Sequence, residues 1–211
     1  MTLINSLIQR GYLKTPEIIR AFKKMDRKDF LLPEYKSETE TDEALPIGHG
    51  QTISQPATVA FMFELLQPKA GDKILDIGSG SGWTTVLLAE IVGNQGKIYG
   101  IERIFEIKNF GEQNVSKYDF IKTGRVEIIH GDGYTGLPEC APFDKILVSA
   151  AALEAPPKLL AQLKIGGKMV IPIGKQYESQ EIVLYTKISK NKFKIEHFPG
   201  FIFVPLLENK T

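Results

Sequence analysis

Residues 75–83, LDIGSGSGW, decide the fold. The run KILDI (73–77) is short, apolar and bounded like a buried strand. It stops at Ile77, and glycines then occupy alternate positions at Gly78, Gly80 and Gly82 before an apolar helix from about Trp83 to Val92. Glycine tolerates positive φ and lets backbone N–H groups approach a ligand with no Cβ in the way. In open α/β sheets, ligands bind just beyond the carboxyl ends of the strands, where this loop lies. A dinucleotide fingerprint needs G-x-G-x-x-G, but Trp83 stands three residues after Gly80. A diphosphate is best held by a helix N-terminus free of carboxylates. Asp76 beside the loop favours a ligand that carries positive charge.

Working outward, KIYGIE (97–102) is the next strand and ends on Glu102, twenty residues past Gly82. An acidic side chain there can accept hydrogen bonds from both ribose hydroxyls. RVEIIHGD (125–132) is a third strand, and Asp132 at its end can meet an adenine amino group. Acidic residues at three successive strand ends outline a nucleoside pocket. With Asp76 ahead of it, the G-x-G-x-G form resembles motif I of S-adenosylmethionine methyltransferases, whose cofactor has both an ammonium and a sulfonium.

The other elements fit around this unit. Leu3, Ile4, Leu7 and Ile8 recur at helical spacing up to Gly11, and Thr15-Pro16 reads as an N-cap opening a helix to about Met25. Ser37–Glu43 reads as an exposed loop, and Pro56 as the first turn of a helix with Val59, Met62, Phe63 and Leu66 on its apolar face. A mixed helix spans Phe105–Lys117. FDKILVSA (143–150) and KMVIPIG (168–174) are strands, with a helix over Pro156–Leu163 between them that ends at Gly166-Gly167. EIVLYTKIS (181–189) and KFKIEHF (192–198) make an antiparallel hairpin around Lys190-Asn191, and FIFVPL (201–206) reads as a last strand. The fold class is therefore α/β and Rossmann-like. A mostly parallel sheet has helices on both faces, an antiparallel C-terminal hairpin and an N-terminal helical segment. One domain is expected over 1–211, with helices and a substrate loop in 1–55 and the Rossmann-like core in 56–211.

Composition narrows the possibilities. Lys and Arg number 26 against 25 Asp and Glu, so bulk charge suggests no grip on nucleic acid. No apolar run approaches the ~20 residues of a membrane helix. A basic n-region with a long apolar stretch is also missing, so the expected address is the cytoplasm. A single cysteine, Cys140, excludes an intrachain disulfide, and His49, His130 and His197 lack metal-ligand spacing; no metal is expected.

Across nearly its whole length the chain resembles the protein-L-isoaspartate (D-aspartate) O-methyltransferase family. The resemblance rests on DEALPIGHGQTISQP (42–56), LDIGSGSGW, IERI (101–104), GDG (131–133), APFDKILVSAAA (141–152), LKIGGKMVIPIG (163–174) and FVPL (203–206). PIGHGQTIS is its most distinctive block. The resemblance implies methyl transfer from S-adenosylmethionine to the α-carboxylate of L-isoaspartyl and D-aspartyl residues in damaged peptides and proteins. The ester then closes to a succinimide, which begins repair. It implies Ser54 as the active-site residue, with Asp42, Ser54 and Val204 at the substrate. Thr52, Ile53, Asp76, Gly78, Ser79, Gly80, Glu102, Asp132 and Gly133 are implied at the cofactor. The expected enzyme is a monomer with isoaspartyl peptides and proteins as partners and neither nucleic acid nor membrane.

This chemistry suits what the chain carries. A carboxylate is already an ionised nucleophile at pH 7, so alignment and hydrogen bonds suffice. Ser54 then reads as an orienting donor rather than a covalent nucleophile, and it is also placed to cap the helix after Pro56. Two positions depart from the family's pattern. Ala57 stands near where many members carry an aromatic residue or His, and Glu40 stands where Tyr is frequent. Alternatives are a related carboxylate methyltransferase with a dedicated peptide or small-molecule substrate, and a cofactor-binding module without turnover. A nucleic-acid methyltransferase is disfavoured because no Asn/Asp-Pro-Pro-aromatic motif is present.

Overall fold

In the computed structural model, which describes residues 1–176 and 178–207, the chain opens with helices α1 (Leu3–Gln9) and α2 (Pro16–Lys24). A small hairpin follows, β1 (Leu45–Gly48) and β2 (Gln51–Ile53), and then α3 (Pro56–Leu66). The core alternates β3 (Lys73–Ile77), α4 (Trp83–Val92), β4 (Lys97–Glu102), α5 (Phe105–Ser116), β5 (Val126–His130), β6 (Phe143–Val148), α6 (Pro157–Gln162) and β7 (Leu163–Ile173). It ends in β8 (Gln180–Ser189) and β9 (Lys192–Phe201). Seven strands form one sheet in the order β5-β4-β3-β6-β7-β8-β9. The pairings from β5 to β7 are parallel, and those of β7 with β8 and β8 with β9 are antiparallel. The expected fold class is therefore realised. Among the described residues no helix is long and apolar enough to cross a membrane.

The direction of winding reverses at β3, which has β4 on one side and β6 on the other. A crevice opens at such a switch point beyond the strand ends. Strand alternation divides the core into two clusters. Ile74, Ile98, Val126 and Leu147 join the helices of the N-terminal half, and Leu75, Ile77, Ile146 and Val148 join α6 on the other face.

Several local expectations are corrected. Residues 201–206 do not form a strand: β9 stops at Phe201, and only Pro205 makes an isolated bridge to Ala151. Proline lacks the N–H a ladder needs. Helix α6 ends at Gln162 and β7 begins at once, so Gly166 and Gly167 lie within the strand instead of stopping the helix. Thr15 occupies the N-cap position of α2 without capping it. Its hydroxyl donates instead to Glu64 Oε2 at 2.7 Å, tying α2 to α3.

The stretch 37–43 is more constrained than a free loop. Arg27, 5% exposed, reaches beneath it and donates to the Thr41 carbonyl at 3.0 Å and the Glu43 carbonyl at 2.6 Å. Burial pushes this guanidinium down to about 10, against the pull of Asp42. Glu40 accepts from the Leu3 N–H at 2.7 Å, at the start of α1. That acid therefore satisfies an orphan helix donor and lines neither cavity described below.

Candidate active site

The cleft at the switch point is lined by the glycine loop, the ends of β3 and β4, the β1–β2 hairpin and residues 204–207. It encloses about 920 Å³ including its open mouth, a size typical of small-molecule sites. Gly78, Gly80 and Gly82 all have positive φ, at 74°, 53° and 86°. The loop is also pressed against α5. A Cβ on Gly111 would collide with the Gly80 carbonyl oxygen, and one on Gly82 would meet the Gly111 carbonyl at 2.9 Å. Gly111 was not singled out in the sequence; a glycine in the middle of a helix was its signal.

Glu102 is 6% exposed on the cleft wall. Its Oε2 accepts from the Gly80 N–H at 3.2 Å and its Oε1 from the Ile104 N–H at 3.0 Å. A carboxylate has about four lone-pair positions, so acceptor capacity is left for a diol. The Ser79 hydroxyl and the Trp83 indole N–H are buried without an intramolecular partner, and both residues line the cleft. Buried polar groups need partners, and an adenosyl amino acid brings hydroxyl, amino and carboxylate groups that can supply them. The residues present fit S-adenosylmethionine. Ile101, Ile104 and Leu206 contribute apolar wall.

Asp76 departs from its expected place. Strand alternation turns it to the same face as Ile74, beneath α4, where it is 0% exposed and absent from the cleft lining. Its Oδ2 accepts from the hydroxyls of Thr84 at 2.9 Å and Thr85 at 2.6 Å, while Oδ1 has no partner. Burial raises its pKa to about 6, opposed by the hydrogen bonds from Thr85 and Thr84 and reinforced by Glu102. Asp76 therefore fixes the start of α4 from behind the loop. Gly133 lines the cleft. Its neighbour Asp132 is half-buried outside the lining and accepts from the Tyr134 N–H at 2.9 Å.

A second groove adjoins the cleft. Gln51, Thr52, Ser54, Ser149, Val204 and Pro205 line both cavities, so the two meet along a common wall. Ile53 faces the cleft alone. Ser54 is half-buried and does not cap α3: Gln55 holds the N-cap position, and the Ala57 N–H donates to Asp42 Oδ1 at 2.8 Å. Asp42 Oδ2 accepts from Arg10 at 2.8 Å. Asp42 thus lies on the groove with both carboxylate oxygens engaged, positioning the loop before the hairpin. Ala57 is 4% exposed on the groove floor. Ser149 was missed in the sequence, although its place at the end of β6 beside β3 was a usable signal. Among the described residues no three His, Cys, Asp or Glu side chains gather in a way that could hold a metal.

The family model for protein-L-isoaspartate(D-aspartate) O-methyltransferase matches residues 1–211. A protein-L-isoaspartate O-methyltransferase of Thermococcus onnurineus is 41% identical over 204 residues, covering 97% of this chain and 91% of that one. One from Ignicoccus hospitalis is 41% identical over 209 residues, covering 99% and 97%. A crystal structure of a Plasmodium falciparum protein-L-isoaspartate O-methyltransferase in complex with S-adenosyl-L-homocysteine superposes with a TM-score of 0.88. That pair is 28% identical over 98% of this chain and 97% of the other. With the whole chain matched and the glycine cleft, acidic strand end and Ser54 wall in place, this chain belongs to the protein-L-isoaspartate(D-aspartate) O-methyltransferase family.

Proposed function

We propose that the chain methylates the α-carboxylate of isoaspartyl residues in damaged peptides and proteins, using S-adenosylmethionine, and so starts their repair through a succinimide. The observation that carries this reading is the wall shared by cleft and groove, on which Ser54 and Thr52 stand. A donor cavity and an acceptor groove that meet at a hydroxyl side chain are what a transfer between two bound molecules requires.

When bound in the cleft, S-adenosylmethionine supplies an electrophilic methyl group. Gly78, Ser79, Gly80 and Gly133 would form its cradle and Glu102 would accept from the ribose hydroxyls, while Asp132, outside the cleft lining, would hold the turn that presents Gly133. Ile53 and Thr52 close the cleft from the hairpin. The substrate carboxylate is ionised at neutral pH, so the protein needs no base to activate it. Ser54 donates a hydrogen bond that holds one carboxylate oxygen and leaves the other facing the cleft. Val204 borders the same junction. Orientation of this kind contributes several powers of ten in rate. The enzyme works as a single domain over 1–211, a cytoplasmic monomer with neither nucleic acid nor membrane as partner.

The test is methyl transfer from labelled S-adenosylmethionine to one peptide in isoaspartyl and aspartyl forms, with Ser54→Ala in parallel. Turnover confined to the isoaspartyl form and lowered about 10–100-fold by the substitution is expected, the loss of one hydrogen bond to a charged group. Turnover of neither form, with S-adenosylmethionine still bound, would refute the assignment.

A further inference from the structure

The groove beyond Ser54 is chemically lopsided. Tyr12, Asp42 and Glu43 contribute polar groups to its lining, whereas Phe61, Phe198, Phe201 and Phe203 line it with aromatic rings. The rings interlock: Phe61 meets Phe198 edge-on at 5.5 Å and stacks on Phe201 at 5.4 Å, and Phe203 lies 6.5 Å from Phe201. All four are half-buried, packed on the main core and open to the groove on another side. Beside them Ile202 is 79% exposed and also lines the groove.

We propose that Phe61, Phe198, Phe201, Ile202 and Phe203 form an apolar subsite that receives an aromatic or branched aliphatic side chain flanking the isoaspartyl residue of the substrate. The inference rests on the function assigned above and adds to it the class of damaged segment selected. Continuity identifies the occupant. Val204 and Pro205, on the wall beside Ser54, directly follow Phe203 in the chain, so the aromatic wall runs into the transfer junction. An extended peptide advances ~3.3 Å per residue, with side chains two apart on one side. A peptide anchored by its carboxylate at Ser54 thus projects a flanking side chain ~7 Å away, along the groove that Ser54 and this wall both line. The rings are held by one another and by the core, so little ordering is needed on binding. Ile202, exposed, and the four half-buried rings together present apolar surface to the groove. In an intact protein most large apolar side chains are buried. The subsite therefore directs the enzyme to damage in segments that have come loose from their fold.

The test uses two isoaspartyl peptides that differ only two positions to either side of the isoaspartyl residue, with Phe in one and Ser in the other. Native enzyme should show a KM about tenfold lower for the Phe peptide, equivalent to about 1.4 kcal/mol. Phe201→Ser and Ile202→Ser should each cut that ratio to below about threefold. The second variant lies at an exposed position, so its reading does not depend on a core packing change. Equal KM values for the two peptides in native enzyme, or an undiminished ratio in Ile202→Ser, would overturn the subsite. Turnover of the Ser peptide keeps the methyltransferase assignment standing whatever the ratio. Turnover of neither peptide ends both.

Discussion

Replacing Asp76 by Asn should make the protein more stable, by an amount that grows with pH. Asp76 is 0% exposed and one of its oxygens has no partner. Burial lifts its pKa from 3.8 to about 6. The folded state therefore binds a proton more tightly than the unfolded state. The stability this confers is fully present below about pH 4 and is lost as pH rises through 6. At 1.36 kcal/mol per unit, the whole span is about 3 kcal/mol, of which about 1.4 kcal/mol falls between pH 5 and pH 8. Asn keeps an oxygen for the Thr84 and Thr85 hydroxyls and carries no charge. Urea unfolding of native protein and Asp76→Asn at pH 5 and pH 8, without cofactor, measures the difference directly. The stability gain of the variant should increase by about 1.4 kcal/mol from the lower to the higher pH. A gain that stays constant to within about 0.5 kcal/mol, or a variant weaker at pH 8, would show that the carboxylate is not held at this cost.

Other perturbations probe the neighbouring contacts. Glu102→Gln puts an amide donor opposite backbone N–H groups and should weaken S-adenosylhomocysteine binding by about 10–100-fold in calorimetry. Gly111→Ala forces α5 away from the glycine loop and should lower stability by about 1–3 kcal/mol, with a parallel loss of cofactor affinity. Arg27→Met leaves the Thr41 and Glu43 carbonyls without their buried donor. It should cost about 3 kcal/mol in denaturant unfolding, and the peptide KM should rise more than that for S-adenosylmethionine.

Much of this architecture is legible in the chain. The spans of β3, β4, α4 and the hairpin of β8 and β9 follow from apolar period and glycine position, because these elements are buried on predictable faces. Glu102 is found because a strand end twenty residues past the glycine loop has a fixed place beside it. Asp76 is misplaced because its charge draws attention ahead of its parity: period two puts it with Ile74, away from the ligand. The β1–β2 hairpin is hidden by Pro46 and by the glycines at its tip, which read as loop. The roles of Glu40, Asp42 and Glu64 depend on partners 15 to 50 residues away, which no local pattern discloses. The common wall of cleft and groove joins Gln51, Thr52, Ser54, Ser149, Val204 and Pro205, and only the fold brings these together.

Val204 and Pro205 belong to that wall, and the segment that carries them, residues 202–207, lies outside the sheet. They are held by main-chain bonds between Ala151 and both Val204 and Leu206, at 2.8 and 2.7 Å, and by Gln180, whose side chain bonds both backbone groups of Phe203. A tether this short opens at far less expense than the seven-stranded sheet behind it. Warming should therefore silence catalysis while circular dichroism still reports an intact protein, and cooling should restore it. Under the assignment proposed above, cofactor and peptide would fill the two cavities this segment lines, so the enzyme should survive heat best while it is at work.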